Sequence, residues 1–130
     1  MANDPLIMCI DDDPSVQEAM KWLLVALGFR AEMFSSAEEF LRSDRLADAS
    51  CLITDVKLSG MSGIELQNHL VESSNRIPVI VITAFADDRR REQALKAGAV
   101  CFLVKPVPKE ELLSCIGRAL DLRSYLKEPS

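Results

Sequence analysis

This chain is short of positive charge. Fifteen Lys and Arg stand against twenty Asp and Glu, which leaves a net charge of −5 with the single histidine neutral. With no overall positive field to gather phosphates, direct nucleic-acid contact by this domain is disfavoured. Close cysteine pairs are missing too. None of Cys9, Cys51, Cys101 and Cys115 forms a CxxC, which argues against a zinc site. Three of them lie inside apolar runs, and all four read as small hydrophobes kept reduced. The opening "MANDPLIMCI" has no basic segment, and its apolar run is far too short for a secretion signal or a membrane span. A cytoplasmic protein with no membrane contact is expected. His69 is the sole histidine. It falls on a helical stretch away from the strand ends, so a surface role is preferred to a catalytic or phosphohistidine one. Internal repeats, linkers and low-complexity tracts are also lacking.

What remains is ordinary globular material. Of 130 residues, 48% are hydrophobic and 27% charged, a balance that suits one domain with one core. Residues 1–130 read as that single domain, with a core at about 5–122 and 123–130 a frayed helix end or the start of a linker. Four apolar runs, "LIMCI" (6–10), "CLIT" (51–54), "VIVIT" (79–83) and "VCFLV" (100–104), fit strands covered on both faces. "RAEMF" (30–34) alternates more and reads as an edge strand. Helical spacing lies between them. Val16, Met20, Leu23, Leu24 and Leu27 mark a first helix ended by Gly28, with Trp22 read as packing. Ala37, Phe40 and Leu41 mark a second. Ile64, Leu66, Leu70 and Val71 mark a third, entered through "SGMSG". A fourth is capped by Asp87 or Asp88 and stops at Gly98, and Leu112, Leu113, Ile116, Ala119 and Leu120 mark a fifth. Strands and helices in alternation predict an α/β fold, a parallel sheet with helices on both faces.

The stretch "CIDDDPSV" (9–16) sets three carboxylates in a row after the first strand. Pro14 suits a first helical position, so Asp13 is the natural N-cap. Asp11 and Asp12 are left at the strand end. Sites in open parallel sheets form outside the carboxyl ends of the strands. Asp55, Thr83 and Lys105 occupy the equivalent positions after strands three, four and five. Three carboxylates facing one another would be relieved by a hard divalent cation such as Mg²⁺, which takes oxygen ligands and keeps waters. An aspartate can also attack phosphorus to give an aspartyl-phosphate, with metal, Lys and hydroxyl neutralising the transferred group.

Over nearly its whole length the chain resembles the receiver domain of bacterial two-component response regulators. The matching pieces are "IDDDP", "TDVKLSGMSGIEL", "IPVIVITA" and "ALKAGAVCFLVKP" in that spacing. The resemblance implies a flavodoxin-like (βα)5 fold with strand order 2-1-3-4-5. It implies that Asp55 takes a phosphoryl group from a histidine kinase or phosphotransfer protein. Asp12, Asp55 and the Lys57 carbonyl would ligate Mg²⁺, and Asp11 would act mainly through metal-bound water. Lys105 would pair with the phosphoryl group, aimed by a cis Lys105–Pro106 peptide. Thr83 would be the switch hydroxyl and Phe102 the switch aromatic. Helix four, strand five and helix five would form the partner surface, where the arginines of "DDRRREQ" could make ion pairs in a phosphorylation-dependent homodimer. Lys57 and Phe85 would flank the path of the hydrolytic water, which implies a long-lived phosphoryl group suited to a slow output such as transcription.

The chain departs from the common pattern at Leu58–Ser59, where many receivers have Met-Pro, and at Phe102, commonly Tyr. One alternative is a haloacid dehalogenase-type phosphatase, which also uses Asp, Mg²⁺, Thr and Lys. That class needs a general-acid Asp two residues after the nucleophile, and Lys57 stands there. The other alternative is a degenerate receiver acting only as an interaction module, and the full set of site residues argues against it.

Overall fold

Each apolar run becomes a strand, and each strand leads into a helix. The computed structural model describes residues 4–84 and 87–127, with side chains as far as residue 122. In chain order these are β1 (Leu6–Ile10), α1 (Pro14–Ala26), β2 (Arg30–Phe34), α2 (Ala37–Leu41), a short 3-10 turn (Leu46–Asp48), β3 (Cys51–Asp55), α3 (Gly63–Glu72), β4 (Val79–Thr83), α4 (Asp88–Lys96), β5 (Cys101–Val104) and α5 (Lys109–Lys127). Every strand pairing is parallel and the order is β2-β1-β3-β4-β5. This is the expected flavodoxin-like arrangement, with β2 on an edge. β3 runs one residue past its apolar stretch to include Asp55, and β5 begins at Cys101 rather than Val100.

Helix boundaries follow local chemistry. Asp13 caps α1 by accepting from the Ser15 N–H at 2.9 Å, and Pro14 opens the helix. Asp87, rather than Asp88, caps α4, accepting from the Arg90 N–H at 2.7 Å. Gly28 and Gly98 sit just past α1 and α4 with φ of +96° and +98°, the left-handed turn that stops a helix. α5 runs to Lys127, while the side chains of its last residues and the final part of the tail expectation, 128–130, lie outside the described residues.

The sheet separates two apolar clusters. One holds Met8, Phe34, Phe40, Leu52, Leu66, Val81 and Phe102 under α2, α3 and α4. The other holds Ile7, Leu24, Ile53, Ile80, Leu112 and Ile116 under α1 and α5, together with all four cysteines. The cysteines are free and buried, as their apolar settings implied. The helices stand as read, but three of their residues do not face the core. Trp22 is 68% exposed and so is not core packing, and Val71 and Leu113 also face solvent. Their helices bury Leu24, Gln67 and Cys115 instead. Among the described residues, no helix is long and apolar enough to cross a membrane.

Candidate active site

The carboxyl ends of β1, β3 and β5 bring Asp11, Asp55 and Lys105 into direct contact. The Lys105 Nζ donates to Asp55 Oδ2 at 2.8 Å and to Asp11 Oδ2 at 3.0 Å. The two carboxylate side chains keep only 14% and 13% of their surface exposed, and Lys105 27%. Burial pulls the ammonium's pKa down, but its hydrogen bonds to Asp55 and Asp11 outweigh that and set it above the ordinary 10.5. Lys105 is held in place by its own N–H, which donates to the Thr83 carbonyl at 2.8 Å, and the Lys105–Pro106 peptide is cis, as the resemblance implied.

Each carboxylate is also fixed by backbone. Asp11 Oδ1 accepts from the Asp13 N–H at 2.9 Å, and Asp55 Oδ1 from the Lys57 N–H at 3.1 Å. Asp12 stands apart: it is exposed, and its Oδ2 accepts from the Ser59 hydroxyl at 3.4 Å. Among the described residues no three His, Cys, Asp or Glu side chains already converge as metal ligands. The donor set still suits a hard dication: three carboxylates lie on one sheet edge, two of them sharing a single cation in the form of Lys105.

Thr83 ends β4 fully buried, and Phe102 lies in the cluster beneath α4. Lys57 is exposed at the mouth of the site, and Phe85 lies outside the described residues. His69 is exposed on α3, away from the strand ends.

Sequence reasoning missed two groups that shape the site. The Gln17 amide donates to the Asp11 carbonyl at 2.6 Å, to the Phe34 carbonyl at 3.2 Å and to the Ser35 hydroxyl at 3.2 Å, tying α1 to the ends of β1 and β2. Glu38 reaches from α2 to the loop after β3, where its Oε2 accepts from the Met61 N–H at 2.9 Å. Gln17 lies one turn into a helix that starts at the site, which is a usable signal. Nothing local marks Glu38, because its partner is 23 residues away.

Known proteins share this architecture. The family model described as "Response regulator receiver domain" matches residues 7–117. The response regulator protein TodT of Pseudomonas putida is 42% identical over 117 residues, 90% of this chain and 52% of that protein. The response regulator protein TmoT of Ectopseudomonas mendocina is 39% identical over 125 residues, 96% of this chain and 57% of that protein. The chain thus spans just over half the length of these relatives. A crystal structure of a response regulator receiver domain protein from Clostridium thermocellum superposes with a TM-score of 0.88 at 28% identity, covering 94% of this chain and 98% of that one. With its sheet order, its sequence match and its acidic strand ends in agreement, this chain belongs to the response regulator receiver domain family of two-component signalling.

Proposed function

We propose that Asp55 accepts a phosphoryl group from the phosphohistidine of a sensor histidine kinase or phosphotransfer protein. The observation that carries this reading is the Lys105 ammonium lodged between Asp55 and Asp11. Asp12, Asp55 and the Lys57 carbonyl would hold Mg²⁺ directly, with Asp11 acting through bound water. Bound there, the ion would draw charge from the phosphoryl oxygens. One Asp55 oxygen must be released for attack. Oδ2 is the candidate, because Lys105 can leave it and follow the incoming negative charge, while the Lys57 N–H keeps Oδ1 oriented. The buried Thr83 hydroxyl then turns toward a phosphoryl oxygen, and the α4–β5–α5 face shifts population toward a partner-binding or homodimeric state. That movement would leave room for Phe102, the switch aromatic on β5, to swing inward. The domain assists its own phosphorylation and dephosphorylation without being an enzyme on other substrates.

The test is incubation with acetyl phosphate and Mg²⁺, followed by intact mass. One phosphoryl group should add to the wild type and none to Asp55→Asn, whose fold should persist. An adduct at Asp11 with none at Asp55 would sink the assignment. Turnover without a retained adduct would favour the phosphatase reading, and no addition at all the interaction-module reading.

A further inference from the structure

The loop between β3 and α3 carries two groups of the site, the Lys57 carbonyl and the Ser59 hydroxyl, and has Ser59 where many receivers have a stiffening proline. The structure shows how it is held instead. The far end of the loop is tied to α2: Glu38 Oε2 accepts from the Met61 N–H at 2.9 Å. The approach is tight. Gly60 takes φ +80°, and a Cβ there would lie 2.7 Å from that same Glu38 oxygen and 3.2 Å from the other. The tie is anchored on the α2 side, because Ala37 and Phe40, flanking Glu38, are fully buried and Ser36 caps the helix from the Glu39 N–H. On the loop side Ser62 begins α3 with a capping box, and the Gly63 N–H donates back to the Val56 carbonyl at 2.9 Å. The Met61 N–H also holds the Glu38 carboxyl below its ordinary range, so the acceptor is ionised at neutral pH.

We infer that Glu38 is a positioning residue of the metal site, a carboxylate latch from α2 that sets the β3–α3 loop and through it the Lys57 carbonyl and Ser59. The inference rests on the reading that Asp55 is phosphorylated with Mg²⁺. Groups that orient metal ligands without touching the metal typically contribute 10- to 100-fold in affinity. Because the contact here is through backbone, an effect at the lower end of that range, about tenfold, is expected.

The experiment uses the full chain with Glu38→Ala and Glu38→Gln. Three quantities are read: Mg²⁺ affinity by calorimetry, hydrogen exchange at the Met61 amide, and the rate of phosphorylation by acetyl phosphate. Glu38→Ala should lose protection at Met61, weaken Mg²⁺ about tenfold, slow phosphorylation, and melt close to the wild type. Glu38→Gln keeps a carbonyl acceptor and should restore most of all three. Wild-type Mg²⁺ affinity in Glu38→Ala would overturn the latch, as would a Gln variant as impaired as the Ala variant. If the wild type takes no phosphoryl group while Glu38→Ala still weakens Mg²⁺, the phosphoacceptor reading fails and the latch stands.

Discussion

Lys105 is the residue on which the site's charge balance turns. Its ammonium lies between two carboxylates, with a pKa above the ordinary 10.5. A group whose pKa is raised on folding contributes stability that is fully present below its unfolded value and is lost as pH rises through the folded one. Wild type and Lys105→Met should therefore differ in urea midpoint at neutral pH, with the wild type the more stable. That advantage should shrink as pH climbs beyond 10.5. A constant difference across the range would mean that the pairing contributes little and that the Met variant loses packing instead. Lys105 was legible in the sequence because a polar residue closing an apolar run marks a strand end. Its two partners followed from the same rule. Asp12 was legible as an acid, but its present contact with Ser59 was not, since that hydrogen bond spans 47 residues.

Among the elements, α3 shows most clearly how a helix start serves a site. Ser62 and Glu65 exchange hydrogen bonds with each other's backbone N–H at 3.1 Å. Replacing Ser62 with Ala should cost about 1 kcal/mol, read as a fall of roughly 3–5 °C in melting temperature. Gly63, next in line, lies so close to β3 that a Cβ there would overlap the Asp55 carbonyl oxygen. Gly63→Ala must displace α3 or the end of β3, so it should impair phosphorylation at Asp55 beyond any loss of stability. Acetyl phosphate labelling at a temperature where the variant is folded checks this, and labelling at the wild-type rate would contradict it. The periodic apolar pattern located four of the helices, and α4 was found from its cap and its terminal glycine, but the reading of apolar residues as packing erred at Trp22, Val71 and Leu113. Hydrophobicity alone does not say which side of a short amphipathic helix meets the sheet. Gln67 is buried because its amide donates to the Ala94 carbonyl of α4 at 3.0 Å, a contact between helices that no single-helix pattern contains.

At the scale of the whole molecule, the sheet separates two apolar clusters. Phe40, fully buried with its ring against Phe34 at a centroid distance of 5.6 Å, anchors one of them. Phe40→Ala should lose about 3–5 kcal/mol, whereas Trp22→Ala should stay within about 0.5 kcal/mol of the wild type, both read from denaturant unfolding. A large loss at Trp22 would mean that its flanking contacts carry more than its exposure implies. The position of that indole also has an optical consequence. It is the only tryptophan in the chain, and it sits on the solvent side of α1 rather than in either cluster. Its emission in the folded state should already resemble that of an indole in water, so unfolding will move the spectrum little. Anything that covers α1 should shift it to the blue. The fluorescence of this protein is therefore a poor thermometer of its folding and a direct reporter of what lands on its first helix.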